Sequence, residues 1–394
     1  MDDIDKLLSN LFKEDDNPTL AELFNQRLEE LDITKTQAYD ALGIDKNSIE
    51  PILNNEAKQV DTIKLLKIGH FLNLGIEQTI QIYLDHNTVS KVQEFEKAKK
   101  AKFIFENFNL PILKKIGFIP DIRNFPAIEE RILTYFGFTD IYEFSNRLIQ
   151  KLAAKGRFTA AQKFRNFWLR TTTEQFESIA NPNPYNREEL MALINRIKPY
   201  SKNEVDGLYQ VCRALYQAGV TILYQSKNPD TSITGATLII NHKPCIVISD
   251  THNFYGTVWL TLLNELYHII HHFNDIKART YHIIGESDLW LNNEEEAFDF
   301  ARQYFLSDDQ LIYIADKINK PKLVEKYAHE WQIHPCLIYH IYCYGDESEW
   351  VHYQHHDPGI RASIKKINTT LYNTETIAAS VAKVKKNLEI DWRV

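Results

Sequence analysis

Residues 258–273 read Val-Trp-Leu-Thr-Leu-Leu-Asn-Glu-Leu-Tyr-His-Ile-Ile-His-His-Phe. The apolar run predicts a buried helix, and the polar letters inside it carry the chemistry. Asn264-Glu265-x-x-His268 differs by one letter from His-Glu-x-x-His. In that signature two histidines at i and i+4 face one metal, and the glutamate polarises a water on it. An amide oxygen at 264 is neutral and harder than imidazole, a poor substitute on zinc. Glu265 is the candidate general base, and Asn264 and His268 are candidate ligand positions. The third position falls to Glu294, which shares a helix face with Ala297, Phe298 and Ala301 at i, i+3, i+4 and i+7. Small alanines on that face let this helix lie close to the one bearing His268.

Outward from the motif, the 394 residues are 44% hydrophobic, ample for two or three domains. Net charge is −8 and pI about 6.0, so no global basic field marks a nucleic-acid binder, and any such site must be local. Cys212, Cys245, Cys336 and Cys343 form no Cys-x-x-Cys pair, which favours reduced thiols. The acidic start lacks a signal-peptide pattern, and no apolar run is long enough to span a bilayer. A cytoplasmic protein with no membrane partner is expected.

The fold class expected is mainly α with a small antiparallel sheet (α+β). Residues 1–17 predict a short amphipathic helix, and 18–86 a set of short helices. Residues 87–200 predict a helical, aromatic-rich spacer, 201–310 the sheet and the motif-bearing helices, and 311–394 a helical tail. The sheet is expected from Val220–Tyr224, Ala236–Asn241 and Pro244–Ser249. His352, His355 and His356 near the C-terminus could bind metal, but a solvated turn before Pro358-Gly359 explains them as well.

Within the first set, residues 33–55 predict a helix, a turn at Gly43 and a second helix capped by Asp45. Lys35 and Lys46 are candidate phosphate contacts, and Gln37, Asn47 and Ser48 candidate base or backbone contacts. Electrostatics oppose strong binding. Residues 18–60 hold eight acids (22, 29, 30, 32, 40, 45, 50, 56) and four bases (27, 35, 46, 58), a local net of −4. Pro51, inside the second helix, predicts a kink unless it falls in the first turn.

Two resemblances follow from these motifs. Ala41-Leu-Gly-Ile44, Ser48-Ile49, Ile52-Leu-Asn54 and Ile63–Leu74 make residues 18–84 resemble the Xre/Cro-type helix-turn-helix. Gly219-Val-Thr-Ile222, Cys245–Ser249, Leu262–His272 and Glu294–Ala301 resemble the ImmA/IrrE zinc metallopeptidases. The combined order is similar to long HigA-like antitoxin regulators. The resemblance implies an N-terminal helix-turn-helix bundle and a gluzincin-like peptidase core. It also implies a bacterial or phage regulator that binds operator DNA as a homodimer and holds a small toxin partner. From the family pattern, Glu265 would be the base, and His268 and Glu294 zinc ligands. The family's histidine is Asn264 here, which predicts an inactive metallopeptidase homologue with little zinc affinity, serving as sensor or partner platform. Other readings stay open: weak ligation by Asn264, a metal shifted one turn onto His268 and His272, an active endopeptidase in which Asn264 is an inactivating substitution, or an interaction protein without DNA binding.

Overall fold

A computed structural model describes residues 18–57, 59–85, 89–145, 158–226, 233–250, 253–279, 281–283, 291–369 and 372–390. The helix expected over 1–17 lies outside them. The chain divides into two compact units, Met1–Lys102 and Phe103–Val394.

The smaller unit is built from α1 (Leu20–Leu31), α2 (Lys35–Leu42), α3 (Lys46–Leu53), α4 (Thr62–Phe71) and α5 (Ile76–Asp85). Its helix starts are written in local chemistry. Thr19 with Glu22 and Thr34 with Gln37 form reciprocal capping boxes, and Asp45 caps α3. Gly43 takes the left-handed conformation that ends α2, with φ of 59°. Leu20, Phe24, Ala38, Ile49 and Ile68 close the core. Pro51 does not end α3, which continues through buried Ile52 and Leu53. Helix α6 (Val89–Asn107) runs through the division at Lys102.

The larger unit takes in the expected core and tail together with the expected spacer from residue 103 onward. Before the sheet come α7 (Leu110–Lys115), α8 (Phe125–Phe136), α9 (Ala160–Ile179), α10 (Arg187–Ile197) and α11 (Gly207–Gln217). Strands β1 (Thr221–Ser226), β2 (Gly235–Ile240) and β3 (Lys243–Asp250) are followed by α12 (Tyr255–Arg279), β4 (Tyr281–Ile283) and α13 (Leu291–Phe305). The chain ends with α14 (Asp308–Ala315), α15 (Pro321–Glu330), α16 (Pro335–Tyr342), α17 (Glu347–Tyr353), β5 (Asn368–Thr369) and α18 (Ile377–Glu389).

The α+β class holds, but the sheet is mixed rather than antiparallel. Its order is β4-β2-β3-β1-β5, with β1 parallel to both β3 and β5. Three short strands in succession read as a meander. Instead β2 pairs with β3 through a tight hairpin, and β1 takes the far side of β3. Asn241 and His242 make that hairpin, both with positive φ. Strands β4 and β5, of three and two residues, carry too little pattern to be read from sequence.

Both faces of the sheet are covered. Ile222, Tyr224, Ile246 and Ile248 pack with Trp259, Leu262 and Leu266 of α12. Leu223, Leu238, Cys245 and Val247 pack with Trp168 and Leu169 of α9 and Val381 and Val384 of α18. The alternation along each strand is the period-2 signature, with both sets buried. This explains why the supposed spacer and tail are not appendages: α9 and α18 cover the face opposite α12.

The start of α12 is fixed from a distant segment. Buried Asp357 accepts the backbone N–H groups of Tyr255 at 2.8 Å and Gly256 at 3.0 Å, with His340 Nε2 donating to it at 2.8 Å. Gly256 permits this, because a Cβ there would lie 2.2 Å from the His340 ring. Burial works to raise the Asp357 carboxyl, but donation from His340, Gly256, Tyr255 and Gly359 outweighs it and holds the group below 3.8.

A carboxyl depressed in the folded state contributes stability above its unfolded pKa and loses it as pH falls through the folded one. Asp357→Asn is therefore expected to cost about 1–3 kcal/mol at pH 7. Urea melts should show the gap to the parent closing as pH falls below about 4. A gap independent of pH would contradict this role.

Candidate metal centre

Helix α12 places Asn264, Glu265 and His268 on a face turned to the protein interior, with exposures of 6%, 0% and 2%. Strand β2, buried along its length, presents Thr237, whose hydroxyl donates to Glu265 Oε2 at 2.5 Å. Directly across the β2–β4 ladder from Thr237 stands His282. Helix α13 packs against α12 through buried Ala297 and Ala301 and brings in Glu294.

The resulting arrangement is a triad that the sequence motif alone does not contain. One ligand-type atom each from His268, His282 and Glu294 lies within 4.8 Å of the others. His268 Nε2 is 3.4 Å from Glu294 Oε1, and His282 Nε2 is 2.6 Å from the same oxygen. The two imidazole rings are 4.1 Å apart, centre to centre. Two imidazoles and a carboxylate make the His₂Glu donor set that suits zinc. Among the described residues no other group of three meets the same test.

The polar atoms here fit a cation. Asn264 Oδ1 and Glu265 Oε1 are buried acceptors with no hydrogen-bond donor among the described residues, and Glu294 Oε1 meets only the two histidines. Buried acceptors left this way are costly, and their concentration beside two imidazoles points to positive charge. His268 Nδ1 meets His272 Nδ1 at 3.1 Å, which fixes the ring and leaves Nε2 turned to Glu294.

Protonation follows burial and neighbours. Burial pushes Glu265 up to about 7, against the opposing effects of His282 and the Thr237 hydroxyl. Burial works the same way on Glu294, but His268 and His282 override it and hold the group down to about 2. Burial lowers His268, favouring the neutral imidazole that a metal ligand requires. One carboxylate is thus poised to exchange a proton near neutrality while its neighbour stays ionised.

The structure brings Glu265, His268 and Glu294 together. Asn264 is adjacent but outside the triad. His272 lies beside His268 where the helix is interrupted, with φ of −121° and ψ of 15°, and also stands outside it. Tyr267 packs on His271 and donates to Glu296. His356 stacks on Tyr339, with His355 at 4.0 Å from it. Sequence reasoning missed His282. Its three-residue strand is too short for a periodic signal, and the motif directs attention to i and i+4 on one helix. The available signal was the missing imidazole itself, which calls for a histidine elsewhere between the two ligand helices.

The smaller unit shows two eight-residue helices, α2 and α3, joined over Gly43–Asp45. Lys35, Lys46 and Asn47 are exposed. Lys46 is 3.8 Å from Glu50, an exposed pair of little energetic weight. Gln37 spends its carbonyl on the Thr34 cap. Ser48 donates to Asp45 at 2.7 Å and accepts from Lys64 at 2.9 Å, so its hydroxyl is committed within the unit.

Compared with protein-family models, with curated proteins and with solved structures, the chain matches none.

Proposed function

We propose that the larger unit is a zinc-dependent hydrolase of the metallopeptidase kind, with His268, His282 and Glu294 as ligands and Glu265 as the proton-transferring base. The observation that carries this reading is the convergence of those three side chains from α12, β4 and α13. On it, Asn264 marks a ligand moved rather than a site abandoned. Three protein ligands leave a position open, as catalytic zinc sites require. When bound, zinc supplies Lewis acidity.

The chain's own residues supply the rest. Glu265, beside the three ligands, accepts a proton from the attacking water and returns it to the leaving amine. Thr237 holds one of its oxygens in place and leaves the other, Oε1, for that exchange. His272 orients His268. The water-poor setting of Glu265 strengthens each of these contacts.

For the smaller unit we propose DNA binding through the α2–α3 pair, with Lys35, Lys46 and Asn47 as contacts. The favouring observation is their exposure on the two capped helices. Gln37 and Ser48 serve the helix caps instead. With so few free cations, binding should be weak and steeply salt-dependent.

Elemental mass spectrometry of the purified protein should find about one zinc per chain. His268→Ala and His282→Ala should each lose most of it, whereas Asn264→Ala should keep it. An empty parent protein, or a His282→Ala variant with full zinc, would defeat the reading.

Glu265→Gln should retain the metal and lower cleavage of a mixed peptide substrate pool by at least about 100-fold, the usual contribution of a general base. Cleavage surviving at parental rate would place the base elsewhere.

In gel-shift titrations of labelled duplex, Lys46→Ala is expected to weaken binding several-fold and to reduce the salt slope by about one. An unchanged slope would remove Lys46 from the interface.

A further inference from the structure

An open cleft of about 670 Å³ lies in the larger unit at the N-terminal end of α12. Phe254, Thr257, Tyr344, Asp346 and Trp350 are among the residues that line it. The aromatic wall is braced from within. Phe254 meets Trp350 edge-on at 5.0 Å, and His340 packs on Trp350 at 4.0 Å. Tyr344 is 61% exposed at the rim.

The cleft is built onto the metal-bearing helices. Tyr344 stacks at 3.5 Å on Phe298, four residues after Glu294 on α13. Thr257 precedes Glu265 by eight residues on α12. At 1.5 Å per helical residue these offsets are about 6 Å and about 12 Å. The cleft is thus carried by the same two helices that present Glu265, His268 and Glu294.

Its charge is one-sided. No lysine or arginine lines it. The His340 imidazole shares the Asp357 carboxylate, so the pair adds no net positive charge. Asp346 caps α17 with Oδ1 alone, which accepts from Ser348 and Glu349.

We propose that the cleft between Phe254, Tyr344 and Trp350 binds the positively charged side chain of an arginine or lysine in a peptide presented to the metal centre. Aromatic faces attract a cation through their π-systems, guanidinium above all, and Asp346 closes the pair electrostatically. An uncharged apolar side chain would forgo that attraction. The assignment of the peptide as a substrate rests on the metal-centre reading; the charge preference of the cleft does not.

Calorimetric titration of the full chain carrying Glu265→Gln, which prevents turnover, tests this. The probes are three acetylated, amidated pentapeptides, Ala-Ala-X-Ala-Ala, with arginine, citrulline or phenylalanine at X. The arginine peptide should bind at least tenfold tighter than citrulline, its neutral near-isostere. Adding Asp346→Asn, which preserves the cap, or Trp350→Leu should remove that preference. If Trp350→Leu fails to fold, the exposed Asp346→Asn position still decides. Equal binding of arginine and citrulline, tightest binding of phenylalanine, no binding at all, or a preference unmoved by Asp346→Asn would each overturn the proposal. Zinc content of the same samples separates the two readings. Zinc without arginine preference defeats the cleft alone, and arginine preference without zinc defeats the metal centre alone.

Discussion

A carboxylate with no solvent exposure sits between α12 and β2, and the larger unit is organised around keeping it there. Glu265 is held by one hydroxyl, from Thr237 of a fully buried strand. Burying such a group without a full complement of partners is expensive. The cost is tolerable only where a proton or a nearby cation neutralises it. The rise of Glu265 to about 7 is one expression of that constraint, and the convergence of His268, His282 and Glu294 is the other. Both depend on the same pair of contacts, α12 on β2 and α13 on α12.

Those contacts tie distant parts of the chain to the site. Asp357 fixes the first turn of α12. Helices α9 and α18 cover the opposite face of the sheet, so β2 is supported from both sides. Gly219 turns the chain into β1 with φ of 82°, where a Cβ would lie 2.4 Å from the Tyr185 backbone. Residues far outside the motif therefore set the position of Thr237, and through it of Glu265.

Much of this was legible in the sequence for a physical reason. Helix periodicity and capping chemistry are local, so Gly43 and Asp45 announced the turn between α2 and α3, and Val258–Phe273 announced the core of α12. The inward placement of Glu294 followed from the spacing of Ala297 and Ala301. What could not be read is non-local. Nothing in Thr221–Ser226 says that it pairs with β3 instead of β2. Nothing in the aromatic stretch Phe164–Phe176 says that it covers a sheet rather than linking two domains. His282 belongs to the same class, because its meaning depends on the register Thr237↔His282, which no local pattern encodes.

On the proposed reading, a ligand supplied by a strand rather than by the helix changes what the site depends on. Histidines at i and i+4 of one helix are positioned together by the helix itself, at no further entropic cost. His282 sits on the three-residue edge strand β4, which pairs with β2 and also packs against α12. On the proposed reading, an ion held by His268, His282 and Glu294 would stabilise the β2–β4 pairing, and whatever orders that edge would raise its affinity. A helical His–His pair would keep its affinity if the sheet edge frayed.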